Sequence, residues 1–230
     1  MPYVARVHQL RGSLLYHVYS RGQNREEIFH GPADYERFVD LLRQYRERFL
    51  VKIYHWVLMP NHYHLLLEIE EPWKLSSMMA GLGRSYTCYH HRTHKTCGYL
   101  WQGRFKMQPV QKEIYLTTCG RYIERNPVKA GMVREAAIYP YSSAAFYCLG
   151  KKDNLTSESP GFAQFGQRES IRRAAYQKFL QSWDASQELM FDNLEDPQGS
   201  VEFRRRLIRW KGHYLPRRDG SPRSSGFSVR

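Results

Sequence analysis

Two runs of strand-forming residues, 51–59 and 62–70, are separated only by Pro60-Asn61. Such a dipeptide signals a tight turn, so the two runs form adjacent strands of one antiparallel hairpin in mid-chain. The flanking segments must complete that sheet. Residues 14–20 read as a buried strand ended by Arg21-Gly22. Residues 32–49 form an amphipathic helix, with Tyr35, Phe38, Val39, Leu41, Leu42, Tyr45 and Phe49 recurring near the 3.6-residue period. After the hairpin a helix is expected over 74–93, a strand over 104–110 and a third helix over 113–125.

This order, β-α-β-β-α-β followed by a helix, is the ferredoxin-like α+β pattern: an antiparallel sheet with helices on one face. It carries many functions and identifies none. Beyond Pro140 the periodicity weakens. Residues 151–161 read as a polar loop, 168–183 as a helix and 200–210 as a short helix. The Arg-, Ser-, Gly- and Pro-rich stretch from residue 211 reads as disordered when free. The expected units are a main folded domain over 1–150, a helical extension over 151–210 and a basic tail over 211–230.

Charge narrows the partners. The 230 residues carry 35 Lys and Arg against 22 Asp and Glu, a net charge of +13, while 42% are hydrophobic, enough for a packed core. The excess sits in residues 1–150 (20 basic, 12 acidic) and 201–230 (9 basic, 2 acidic), with a near-neutral stretch between. That distribution points to a polyanion such as nucleic acid. Aromatic residues, 14% of the chain, offer faces on which unpaired bases stack. No apolar run reaches the ~18 residues a membrane span needs, and the N-terminus has no signal-peptide pattern. Four cysteines make no disulfide framework, so a cytosolic protein is expected.

Two motifs carry chemistry. In Met59-Pro-Asn-His-Tyr-His-Leu-Leu-Leu-Glu68, His62 and His64 are two residues apart on a strand, so both imidazoles project from one face while Tyr63 faces the other way. Such a pair serves either as two ligands of a divalent metal or as polar residues at a sheet edge. In Tyr115-Leu-Thr-Thr-Cys-Gly-Arg-Tyr-Ile-Glu-Arg-Asn-Pro127, Tyr122 and Asn126 stand i and i+4, about 6 Å apart on one helical face. Pro127 should place Asn126 at the helix end, where its carboxamide is either a third ligand or a simple helix stop. A further series, Cys88, His91, His94 and Cys97, has the residue types for zinc. Successive i+3 positions drift around a helix, however, and do not close a tetrahedron. His17 and His55 read as packed or hydrogen-bonded strand residues, and Ser142-Ser143 as a cap or turn.

Taken together, four segments resemble the HUH endonucleases, and specifically their single-tyrosine transposases in the REP-associated branch: Tyr16-His-Val-Tyr-Ser-Arg-Gly22, the His62/His64 motif, Leu100-Trp-Gln-Gly-Arg-Phe-Lys106, and Arg121-Tyr-Ile-Glu-Arg-Asn-Pro-Val-Lys-Ala-Gly131. They occur in the family's order over about residues 10–145. The resemblance implies Tyr122 as nucleophile, His62 and His64 as metal ligands with Asn126 completing the site, and Mg²⁺ or Mn²⁺ as cofactor. Tyr115 lies on nearly the same face as Tyr122 but about 16 Å along the axis from Asn126, too far to share a metal-bound phosphate.

The implied activity is cleavage and rejoining of single-stranded DNA beside a hairpin, through a 5′-phosphotyrosine. A protein that only binds hairpin DNA is the alternative. Arg21, Arg104, Lys106, Arg121 and Lys129 are the expected phosphate contacts, with Arg204–Arg206, Arg217, Arg218 and Arg223 embracing a stem. The implied setting is the bacterial cytoplasm, at the nucleoid when bound to DNA. Either a monomer or a homodimer is compatible.

Overall fold

The hairpin forms as its turn requires. In the computed structural model, which describes residues 15–182, 190–192, 196–210 and 213–216, β2 (Lys52–Met59) pairs with β3 (His62–Glu68) from Met59↔His62 outward, with an irregularity between Ile53 and His55. β3 also pairs with β1 (Leu15–Arg21), and β1 with β4 (Lys106–Val110). The four strands stand in the order β2-β3-β1-β4, antiparallel throughout, which is the expected ferredoxin-like sheet.

Strand alternation divides β3 between two cores. Tyr63, Leu65 and Leu67 face α1 (Pro32–Phe49) and α2 (Pro72–His94), where Phe38, Leu42, Met78, Leu82 and Tyr86 close the main core. Pro32 in the first turn suits a helix start because its missing N–H has no partner to lose there. Leu66, with Val57 and Met59 of β2, faces the opposite way, onto Leu116, Cys119, Tyr122 and Ile123 of α3 (Lys112–Lys129). The third helix therefore covers the second face of the sheet, and it brings Tyr122 to the face that carries His62 and His64.

Helix α3 runs past its expected end. Pro127 lies inside it, and the helix continues to Lys129. A proline cannot donate to the carbonyl four residues back, here that of Ile123. Asn126 compensates: its Nδ2 donates to Ile123 O at 3.2 Å and to Tyr122 O at 2.9 Å. The expectation that Pro127 stops the helix is corrected by that substitute donor.

Behind α3 lie α4 (Ala144–Leu149) and α5 (Glu169–Gln181), with Tyr147, Phe162, Tyr176 and Leu180 in a third apolar cluster. The buried Glu124 of α3 joins these layers. It accepts from Ser143 Oγ at 2.6 Å and Tyr176 Oη at 2.8 Å, and stands 2.8 Å from His55 Nδ1 on β2. Gly120 lets α3 approach β2 closely, since a Cβ there would stand 2.7 Å from the His55 ring. Ser143 thus stands at the N-cap position of α4 with its hydroxyl turned to Glu124 rather than to the helix, and His55 is a packed, hydrogen-bonded strand residue.

The chain then returns to both margins of the sheet. Beside β2, Leu58 N donates to Tyr141 O and Ser143 N to Trp56 O. Beside β4, Gln198 N donates to Pro109 O and Gln111 N to Gln198 O. The short helix expected over 200–210 is only Val201–Arg206 (α6). Leu207–Trp210 (β5) instead pairs with His213–Pro216 (β6), which falls within the stretch expected to lack structure. The β-branched Ile208 and aromatic Trp210 are residue types that favour strands. Arg217, Arg218 and Arg223 lie outside the described residues. Among those described, no helix is long and apolar enough to cross a membrane.

Candidate active site

A cavity of about 400 Å³ opens between β1, β3 and α3, lined by Tyr19, Ser20, Arg21, His62, His64, Gln102, Arg104, Lys106, Tyr122, Asn126 and Asp192. All four residues singled out for chemistry are present, with three of the five expected phosphate contacts. Lys129 stands at its margin, 3.4 Å from each Asp192 carboxylate oxygen and 5.7 Å from the Tyr122 ring centre. Arg121 does not reach it. Its side chain is buried on the other side of α3, stacked 4.5 Å from Phe179, with Nη1 3.3 Å from Ser182 O and Oγ. A single residue step separates the neighbours Arg121 and Tyr122 by about 100° around the helix, so both cannot face one cavity.

His62 and His64 project side by side, ring centres 5.2 Å apart and planes nearly perpendicular. Burial, reinforced by Arg21, pushes the His62 pKa down to about 4. Burial and the neighbouring His17, His62 and Lys129 hold His64 well below its ordinary value. Both are therefore neutral imidazoles at pH 7, the form in which histidine binds metal.

Hydrogen bonds fix which nitrogen each imidazole offers. Gln108 Nε2 donates to Asp196 O at 2.6 Å, which leaves Gln108 Oε1 as acceptor towards His17 Nδ1–H at 3.3 Å. His17, buried with its pKa lowered to about 4, is then a neutral ring whose Nε2 accepts. It accepts the hydrogen bond donated by His64 Nδ1–H at 2.8 Å, and His64 Nε2 keeps a lone pair. The second histidine follows the same logic. Asn61 Nδ2 donates to Arg25 O at 2.9 Å, so Asn61 Oδ1 accepts from His62 Nδ1–H at 2.6 Å, and His62 Nε2 keeps its lone pair. With Asn126 Nδ2 donating to the helix backbone, its Oδ1 is the remaining ligand atom. Two imidazole nitrogens and a carboxamide oxygen suit a divalent cation of intermediate softness.

Tyr122 is 7% exposed, its ring 5.7 Å from that of His64 and perpendicular to it. Its hydroxyl donates to Asp192 Oδ1 at 3.0 Å. Burial first, and then Asp192, raise the phenol pKa above its ordinary value, so the tyrosine is protonated at every working pH. The sequence reading missed Asp192, Tyr19, Gln102 and the His17–Gln108 pair. Asp192 lies 70 residues beyond Tyr122, in a stretch with no periodic signal. His17 alone could have been suspected, since it sits in the same strand face as Tyr19 within a motif segment.

Comparison with known proteins gives the geometry a family. The sequence pattern of the family described as "Transposase IS200 like" matches residues 11–126, just over half of the chain. No curated protein matches the sequence. Among solved structures, a REP-associated tyrosine transposase bound to a REP hairpin superposes with a TM-score of 0.53 at 20% identity, over 69% of this chain and 96% of that one. A protein described as a transposase from Deinococcus radiodurans R1 aligns with a TM-score of 0.37 at 19% identity, over 54% of this chain and 97% of its own. The match spans all four strands, the His62/His64 motif and Tyr122, and the chain belongs to the IS200-like transposases.

Proposed function

We propose that the protein is a single-tyrosine transposase of the HUH type, in the REP-associated branch, which cleaves and rejoins single-stranded DNA next to a hairpin. The observation that carries this reading is the meeting of Tyr122 with two lone-pair-bearing imidazole nitrogens and Asn126 in one basic cavity. A protein that only binds DNA has no need of a buried phenol beside two tautomer-fixed histidines.

Tyr122 Oη attacks the scissile phosphorus while the bond from phosphorus to the 3′-oxygen breaks. The products are a 5′-phosphotyrosine and a free 3′-hydroxyl. One phosphodiester replaces another, so the step is close to balanced and reverses without an energy source. Asp192 Oδ1, already accepting from Tyr122 Oη, takes the proton as the phenol attacks. His62, His64 and Asn126 would hold the metal, which supplies charge stabilisation for the phosphate when bound. Manganese suits imidazole ligands better than the harder magnesium, and either is an expected cofactor. Arg21, Arg104 and Lys106 line the approach and fix the strand through its phosphates.

Beside this cavity lies a larger apolar one of about 650 Å³, lined in part by Tyr63, Met79, Trp101 and Phe105 and sharing Ser20 and Arg104 with the site. Its apolar, aromatic lining suits an unpaired base of the bound strand. A hairpin as the DNA partner also follows the solved relative, which is bound to one. Such an enzyme acts in the bacterial cytoplasm, at the nucleoid.

The test is a hairpin with a single-stranded flank, labelled at its 3′ end and incubated with the protein and Mn²⁺ or Mg²⁺. A labelled covalent protein band is expected on a denaturing gel. Tyr122→Phe should lose the band and keep hairpin affinity. A band that persists in Tyr122→Phe overturns the nucleophile, and tight binding with no band in the wild type leaves a binding protein only.

A further inference from the structure

On the face of the sheet opposite the candidate active site, the start of α1 meets the end of α2 in a cluster of three histidines. His90 and His94 stand i and i+4 on the last turns of α2, hence on one helical face. His30 reaches them from the segment just before α1. One ring nitrogen of each lies within 4.8 Å of the other two. The ring centres are 4.6, 4.6 and 5.3 Å apart, and His30 Nε2 is 3.2 Å from His90 Nε2.

We propose that His30, His90 and His94 form a second metal centre, separate from the His62/His64 site, which takes a borderline transition-metal dication such as Zn²⁺. Three arguments support it. Ligand nitrogens at about 2.0–2.1 Å from a tetrahedral ion are about 3.3–3.4 Å apart, close to the His30–His90 contact already present. The rings have the outer partners that metal-bound histidines use. His90 Nδ1 is 3.3 Å from Thr96 Oγ1, and His94 Nε2 is 3.0 and 3.1 Å from the two Asp34 carboxylate oxygens. Asp34 is itself held by His30 N at 2.8 Å and Tyr89 Oη at 3.0 Å, and it brings a negative charge to balance that of a bound dication.

The third argument is room to close. His30 is exposed and belongs to no helix or strand, so it can move the remaining ångström or so, while His90 and His94 are fixed on their helix. The nearby thiols are not part of the centre. Cys88 and Cys97 are exposed, and His91 turns away to Thr96 Oγ1 and Gly98 O. A bound ion would tie α1 to α2. It would also secure the segment in which Ile28 N and Phe29 N donate to Pro60 O, the residue before the Asn61 that orients His62.

The test is zinc binding by the full chain after chelator treatment, using a chromophoric competitor and thermal melting. The His62→Gln/His64→Gln variant should retain one tight zinc equivalent, melt higher with zinc, and give the intense visible bands of tetrahedral Co²⁺. The His30→Gln/His94→Gln variant should lose that equivalent and the zinc-induced rise in melting temperature. The proposal is overturned if His62→Gln/His64→Gln binds no zinc, or if His30→Gln/His94→Gln binds as many zinc equivalents as the wild type. Should the latter variant not fold, the cobalt spectrum of the former decides: absence of tetrahedral bands overturns the centre.

Discussion

The lone pairs of His62 and His64 are set by residues that do not line the cavity. His17 is the clearest case, because it passes the orientation of Gln108 to His64 through two hydrogen bonds. Replacing it with Phe leaves His64 Nδ1–H without an acceptor and frees the ring to change tautomer. Loss of such an outer partner typically weakens a metal site by about 10–100-fold. For His17→Phe we expect the Mn²⁺ concentration for half-maximal cleavage to rise by that order, with much of the rate recovered at saturation. His17→Gln, which keeps an acceptor, should fall between. An unchanged Mn²⁺ dependence would show that the relay does not set the tautomer. The paired histidines were legible from the two-residue strand period alone. The relay was not, because His17 and Gln108 become neighbours of His64 only through the order β3-β1-β4. The His30–His90–His94 cluster escaped notice for a related reason. The sequence drew attention to a Cys-His-His-Cys series at i+3, whereas the meaningful spacing was the i+4 pair completed by a residue 60 positions away.

Helix α3 is the element that carries Tyr122, the proposed nucleophile, and its seating depends on Gly120. The His55 ring beneath it is held by Glu124 and stacked 4.7 Å from Tyr147, so it has nowhere to move. A Cβ at 2.7 Å must therefore push the helix instead. Gly120→Ala should cost roughly 1–3 kcal/mol, the usual range for an overpacked core. Its effect on cleavage should exceed its effect on stability, because Tyr122 and Asn126 ride on the displaced helix. Denaturant unfolding beside adduct formation makes the comparison; a destabilised variant with full cleavage per folded molecule would refute it. In the same helix, Asn126→Ala removes the donor that stands in for Pro127, leaving the Ile123 carbonyl short of a partner at a cost of about 1 kcal/mol. The element order and the course of the helices were readable from periodicity. The end of α3 was not, since Pro127 signals a stop and only the side chain before it reverses that signal.

The molecule as a whole stores several buried histidines in the neutral state. His17, His62 and His90 are each pushed down to about 4, mainly by burial, and His64 lies well below its ordinary value. In the unfolded chain the same groups take protons near pH 6.5. Between pH 6.5 and 4 the unfolded state therefore binds more protons than the native state, and stability falls as the pH falls. The metal-free protein should melt at clearly lower temperature at pH 5 than at pH 7.5. A flat profile over that window would mean that these rings are not held neutral.

The backbone strands that return to the sheet have a consequence for assembly. An open margin of unpaired amides invites another copy of the chain to continue the sheet. Here Tyr141–Ser143 occupy one margin and Gln198 the other, and Pro109 on the outer strand offers no amide proton at all. Two copies cannot join into a continuous eight-stranded sheet unless one of these covers is first stripped away. Extension of this sheet by a second copy is thereby opposed, and release of the covering segments is the step that would open its margins to strand-to-strand pairing.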